Sequence, residues 1–342
     1  VRPREDRRGR WPSRALALGL SLAILAMLLS RVSPEEALGA LAMVGPWPVL
    51  ATVAVALIDG LLVDVDKFRR LLSRLGIRCS FREVATLSIP ATALGGLAPA
   101  QAEEFWKARQ LQRLLGGTYS EAMGLVALDR GINFASHLVL GGGALASLWL
   151  GAGCPWSLAA GVGVAYGLAL GGMGLLSRLA GRVPADRHPR SRAFTGGLRR
   201  SSPGLRARIL AYACASHLAL SGCLWWMAIA GGAQWTLSEA LVWRAASVLA
   251  SKVPVSLGGI GVREGVLALG LSRAIPASVA VPVGLLHGLL TGLLPPLAAL
   301  GFRSWFRETA EGMLRDLGRL TRVRQGKSSE EQDTGGGSGL SR

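Results

Sequence analysis

Arg263 and Glu264 follow directly on a glycine-rich run in "VPVSLGGIGVREG", residues 253–265. Pro254 cannot donate a backbone hydrogen bond, and Gly258, Gly259 and Gly261 let backbone groups come close to a ligand or a second helix. A helix beginning near 262 would point its positive end into that space, where a phosphate or other oxyanion is favoured. Arg263 would add a full charge with a forked set of donors. The competing reading is a structural Arg263–Glu264 pair that ties the segment to its neighbours.

Two further constellations have the same character. Asp129 and Arg130 stand together in "ALDRGIN", 127–133, within a long apolar run. They suit either an anion-binding role or an ion pair at the interface, with Arg130 snorkelling toward water. Glu104 and Lys107 sit three residues apart in "APAQAEEFWKARQL", 98–111, so on a helix they share a face. That face could meet an anionic ligand or simply solvent. Asp59, near the end of an apolar run, reads as interfacial, and Arg244 and Lys252 as flanking a substrate path or reaching a headgroup. His137, His217 and His287 each fall alone among apolar residues, without the spacing of a metal site. No cofactor or metal is expected.

The elements that must position these residues are membrane helices. Half of the 342 residues are hydrophobic and 17% are charged, with a mean hydropathy of +0.39. Runs at 15–30, 46–63, 122–150, 156–177, 209–230 and 278–302 match the roughly 20 residues a helix needs to cross a bilayer. They lack the alternation of a barrel strand, so the fold class is all-α, a polytopic helical membrane protein. The formal net charge of +17 would suit nucleic acid, but its distribution argues against that partner. Most Lys and Arg lie in 1–14, 64–83, 102–120, 178–208 and 303–327, whereas the loops at 31–45, 151–155, 231–236 and 272–277 hold only Arg31 and Arg273. By the positive-inside rule this makes the chain a multi-pass protein of the inner (cytoplasmic) membrane with both termini cytoplasmic. Trp47, Trp149, Trp156 and Trp235 mark outer span ends, as an aromatic belt would. Gly163, Gly167 and Gly171, four residues apart, read as a close-packing stripe. The cysteines show no paired spacing and read as small core residues.

Two segments do not read as plain spans. Residues 80–111 and 236–271 each open with a capping-box signature, Ser80 with Glu83 and Thr236 with Glu239. Each helix then reaches a proline, Pro90 or Pro254, and a Leu-Gly-Gly break at 94–96 or 257–259. Charge places the first entry on the inside and the second on the outside. The expected architecture is therefore a pair of inverted repeats, with six full spans and two broken re-entrant hairpins meeting near the midplane. Reading every hairpin arm as a crossing gives about ten spans instead. The expected domains are a basic cytoplasmic N-terminus at 1–13, a transmembrane domain at 14–302 and a basic, then disordered, tail at 303–342. The transmembrane domain divides into halves 14–150 and 156–302, with a cytoplasmic linker at 181–208.

These same residues carry a family resemblance. "APAQAEEFWKARQL" resembles the P-x-x-x-G-E-x-x-R signature of the lysylphosphatidylglycerol synthase transmembrane-region family of flippase-like proteins. "ALDRGIN" is similar to that family's acid–Arg motif, and "VPVSLGGIGVRE" resembles its P-x-x-x-G-G-x-G-x-x-E segment. The resemblance implies a flippase-like fold of about eight membrane helices by the family's usual count. It also implies movement of lipids or lipid-linked molecules across the membrane, with a phospholipid or polyprenyl-linked lipid as substrate. Glu103 stands where the family has glycine and Lys107 where it has arginine, which replaces a fork of donors by a point charge. The family register also pairs Pro99, rather than Pro90, with Pro254. Spans and basic loops leave no room for an aminoacyl-transfer domain, so synthesis of lysylphosphatidylglycerol by this chain alone is not expected.

The expected function is a transporter of an anionic lipid or lipid-linked molecule, with Glu264, Arg263, Gly258, Gly259, Gly261, Pro254, Asp129, Arg130, Glu104 and Lys107 at the substrate. The alternatives are a membrane-embedded enzyme of lipid or lipid-linked sugar synthesis, or a non-catalytic subunit beside a synthase partner. A homo-oligomer is a further assembly to consider. The absence of H-E-x-x-H, G-x-S-x-G and helically spaced aspartates favours a protein that is not an enzyme.

Overall fold

The computed structural model describes residues 11–30, 32–97, 102–151, 155–180, 202–252 and 259–302. Their regular structure is all helical. The chain divides into two compact units, Val1–Ala299 and Leu300–Arg342, and the first holds the cavities and charged groups described below.

Helix α1 (Trp11–Leu29) is followed by α2 (Pro34–Val44), then α3 (Pro46–Ile58), a π-helical turn (Asp59–Val63) and α4 (Asp64–Arg74). The first hairpin is α5 (Phe81–Leu97) with α6 (Ala102–Leu115), and the long α7 (Tyr119–Trp149) and α8 (Pro155–Ala180) come next. After the linker come α9 (Pro203–Ala230) and the second hairpin, α10 (Leu237–Ala250) with α11 (Val262–Leu271). The described fold closes with α12 (Ala277–Gly292) and α13 (Leu294–Gly301). Among the described residues, five helical stretches are long and apolar enough to cross a membrane: Pro46–Arg74, Tyr119–Trp149, Pro155–Arg178, Pro203–Ala230 and Ala277–Gly301. The protein is therefore a multi-pass integral membrane protein.

Helix α7 is the spine, packing on α6, α8, α9 and α10. Its start is fixed by a reciprocal cap: Thr118 Oγ1 accepts from the Glu121 N–H, and the Glu121 carboxylate accepts from the Thr118 N–H. Both hairpins start in the same way. The Ser80 N–H donates to Glu83 at 2.7 Å and the Glu83 N–H to Ser80 at 3.2 Å. In α10 the Thr236 N–H donates to Glu239 at 2.7 Å and the Glu239 N–H to Thr236 at 3.3 Å. Each box satisfies two donors that a helix start otherwise leaves open.

Several expectations are corrected. Helix α5 does not break at Pro90 but runs through it to Leu97, so Leu94–Gly96 are helical. The next helix, α6, begins at Ala102, and Pro99, which the family register pairs with Pro254, lies outside the described residues. Tertiary packing holds Pro90 in the helix: its neighbours Ile89 and Ala91 are buried. Residues 31–45 contain not only a loop but also α2, capped by Ser33 and Glu36. Trp235 follows the end of α9 but faces the protein rather than its surroundings. It is 6% exposed, in the core beside Leu224 and Leu267, and its carbonyl accepts from Trp225 Nε1 at 2.8 Å.

The glycine stripe is also elsewhere. Gly163, Gly167 and Gly171 have open space where a Cβ would go, and α8 meets α7 two residues earlier, where Gly161 abuts Gly143. The repeated close contact is Gly284, Gly288 and Gly292 on α12, packed against Ala268, Glu264 and Arg263 of α11. Small residues at this spacing let two helix backbones approach without a steric ridge between them.

Candidate functional site

A π-helical turn at Asp59–Val63 interrupts the second apolar run, and the helix continues directly as α4. One inserted residue rotates everything beyond it by a fraction of a turn, which is why such turns cluster at functional sites. Here it turns Asp64 and Lys67 inward, toward α6 and α7.

The outcome is a buried square of charge. Lys67 Nζ lies 2.7 Å from Asp64 and 3.3 Å from Asp129, and Lys107 Nζ lies 3.3 Å from Asp64 and 3.5 Å from Asp129. Lys67 also donates to Asn133 Oδ1 at 2.6 Å, and Lys107 lies over the Phe68 ring, 4.4 Å from its centre. The Lys107 and Asp129 side chains are fully buried. Two cations and two anions balance, and the square binds α4, α6 and α7 together.

Arg130, the next residue of α7, points away from Asp129 and into a cavity. It pairs with Glu103 and, at 3.4 Å, with Glu104. Glu103, which stands where the family has glycine, is received by Gly95 of α5, where a Cβ would meet its Oε2 at 2.6 Å. Gly95 thus vacates the space that the larger residue at 103 needs.

The cavity has a volume of about 570 Å³ and lies between the hairpins. The first hairpin contributes Thr92, Glu103 and Glu104, and the second Arg244, Ser251, Lys252 and Arg263. Asp59, Arg130, the three apolar-run histidines and Thr291 add to its polar lining, and Asp64 and Lys67 of the charge square reach it as well. A smaller cavity of about 200 Å³ shares Thr92, Glu103, Lys252 and Arg263 with it and extends toward Gly292 and Pro295. Asp59 accepts from Ser216, and the His137 and His217 rings stack with centres 3.9 Å apart.

Arg244 stands out within this lining. It is 6% exposed, and its Nε and Nη1 have no hydrogen-bond partner among the described residues. Asp59 attracts it electrostatically, but no carboxylate engages its fork as Glu103 and Glu104 engage Arg130. Lys252, two turns further on, is exposed and lines the same space. A buried guanidinium with open donors is costly unless an anion completes it.

Arg263, Arg130 and Glu104 of the sequence-derived set therefore line the cavity, whereas Lys107 and Asp129 stand behind it in the neutral square. Glu264 has a different place. Its Oε2 accepts from the Gly261 N–H at 2.7 Å, it is 2% exposed and it rests against Gly288. It caps α11. Gly259 and Gly261, with φ of +80° and +86°, form the turn before that helix. Ser251 leaves no room for a Cβ at Gly259, and the Ser21 carbonyl of α1 would be 3.0 Å from one at Gly261. Pro254 and Gly258 lie outside the described residues. No group of three metal-ligating side chains occurs among the described residues.

Asp64 and Lys67 were hidden in a segment that reads as a basic loop. Their signal is the helical period of Val65, Phe68, Leu71 and Leu72, all buried in α4, with Asp64 and Lys67 flanking that stripe.

The family comparison can now be set beside this geometry. The model of the lysylphosphatidylglycerol synthase transmembrane region matches residues 14–299. The chain belongs to that family. No curated protein matches its sequence. Glu103 and Glu104, Arg130, and Arg263, described members of the three stretches that carry the resemblance, line one cavity.

Proposed function

We propose that the protein moves an anionic lipid or lipid-linked molecule across the membrane, with the headgroup passing through the cavity between the two hairpins. The observation that carries this reading is Arg244, a buried guanidinium facing the cavity with donors left open. Lys252 and Arg263 share that side, so the cationic wall belongs to the second hairpin, while Arg130 is already engaged by Glu103 and Glu104. A phosphate would take the place of water on these donors, and its acyl or polyprenyl chain would remain in lipid. Neither chain nor charge then has to cross hydrocarbon unpaired. The capped hairpins and the chain's family membership support the same reading. It is a transport reading, without a catalytic step, and an inverted-repeat topology with cytoplasmic termini goes with it.

The test is translocation of fluorescent phosphatidylglycerol in proteoliposomes of the pure protein. Arg244→Gln should lower the rate at least tenfold with a melting temperature close to the parent's, since it removes a charge without breaking a side-chain hydrogen bond at Nε or Nη1. A normally folded Arg244→Gln protein that transports at the parent rate would refute the proposal.

A further inference from the structure

A third cavity, sharing no residue with the other two, lies between the end of α4 and the start of α9. Its volume is about 330 Å³. Four guanidinium groups line it, those of Arg69, Arg70, Arg74 and Arg208, with the Ser73 hydroxyl and the Tyr212 ring. Leu205 and Ile209 give its α9 wall an apolar surface.

One carboxylate organises half of this lining. Asp66 accepts from Arg69 at 2.8 and 3.0 Å, from Arg70 at 2.6 Å and from the Tyr212 hydroxyl at 3.3 Å. Arg70 also lies over the Tyr212 ring, 5.6 Å from its centre. Two guanidinium groups are thereby fixed in position before any ligand arrives. Arg74 and Arg208, one from each helix, are exposed and make no ion pair among the described residues. Four cations against one anion leave a surplus of three positive charges around a pocket with an apolar side.

We propose that this groove is a second ligand site, taking the phosphate of an anionic phospholipid headgroup that is not the transported molecule. Forked donors match phosphate geometry, and the Leu205–Ile209 wall suits the glycerol and first methylenes that follow the phosphate. The groove lies at the end of two membrane-crossing helices, on the side that the basic segments 64–83 and 178–208 assign to the cytoplasmic leaflet, where anionic headgroups attract such clusters. Bound there, the lipid would link α4, which carries Asp64 and Lys67, to α9, which carries His217.

Native mass spectrometry of the full chain in detergent tests this, with dihexanoyl-phosphatidylglycerol, dihexanoyl-phosphatidylcholine and inorganic phosphate as probes. The phosphatidylglycerol adduct should fall at least fivefold in the Arg74→Ala/Arg208→Ala double variant and persist in Arg244→Gln, which separates it from occupancy of the central cavity. Phosphatidylcholine should add weakly to all three proteins. An equal adduct in the double variant, or equal retention of phosphatidylcholine, would overturn the site. Displacement of phosphatidylglycerol by an equal concentration of inorganic phosphate would overturn the lipid as its occupant and assign the groove to the free anion.

Discussion

Lys107 has Asp64 at 3.3 Å and Asp129 at 3.5 Å from its ammonium, whereas Arg244 has two donors with no acceptor among the described residues. The two buried cations should therefore respond oppositely to neutralisation. Lys107→Met leaves Asp64 and Asp129 with one cation between them, an uncompensated buried charge that costs about 3–5 kcal/mol. It should lower the melting temperature in detergent sharply, whatever it does to transport. Arg244→Gln should instead leave the melting temperature close to the parent's and lower transport. Glu264 is a third case. Because its role is to accept from the Gly261 N–H, Glu264→Gln keeps an acceptor there and should retain both fold and transport. Glu264→Ala leaves that N–H buried and unsatisfied, a loss of about 1–3 kcal/mol that thermal melting would register. The sequence put an acid after Gly261 at the substrate because charge within an apolar chain signals function. That the acid turns back on its own helix is set by backbone dihedrals that residue types do not display.

At the scale of elements, helix starts were the most legible feature. Ser80–Glu83 and Thr236–Glu239 are local, and each signature closes within one helical turn, so no tertiary contact is needed to form it. Features that depend on a neighbour were not legible. Pro90 reads as a breaker on its own, yet buried packing around it keeps α5 continuous. The π-helical turn at Asp59–Val63 leaves no compositional trace, and without it Asp64 and Lys67 look like loop residues. Glycine spacing illustrates the same limit, since two runs of i, i+4 glycines occur and only the packed structure says which one is at a crossing. Gly288→Ala would drive a methyl into the Glu264 carboxylate, 2.5 Å from where its Cβ would lie. Overpacking of this kind costs about 1–3 kcal/mol. Gly167→Ala, with open space around it, should stay within about 0.5 kcal/mol of the parent. Paired melting curves would check both, and equal effects would contradict the assignment of the stripe to α12.

For the whole molecule, composition and charge distribution sufficed to identify an all-helical membrane protein, because hydropathy and Lys/Arg asymmetry are read by the bilayer directly. The sidedness they imply has its own check. In a variant lacking the native cysteines and carrying Arg190→Cys, a membrane-impermeant thiol reagent applied to intact cells should not label position 190 until the membrane is opened. The site itself was legible as a set of charged residues but not as a division of labour. Lys107 with Asp129 neutralises and fastens, while Arg244 lines the cavity with donors that meet no acceptor among the described residues. That division follows from which helix faces the cavity, a property of the assembled bundle. The central claim is that the space between the hairpins is the headgroup's path, and Thr92, half-buried on α5, looks into both of its chambers. The most direct measurement is lipid translocation by a cysteine-free Thr92→Cys protein before and after complete modification with a methanethiosulfonate carrying an ethylsulfonate group. A fixed anion inside the cavity should occupy the cationic wall and reduce phosphatidylglycerol movement to the rate of empty liposomes, with reversal on reduction. Undiminished transport by fully modified protein would contradict the account.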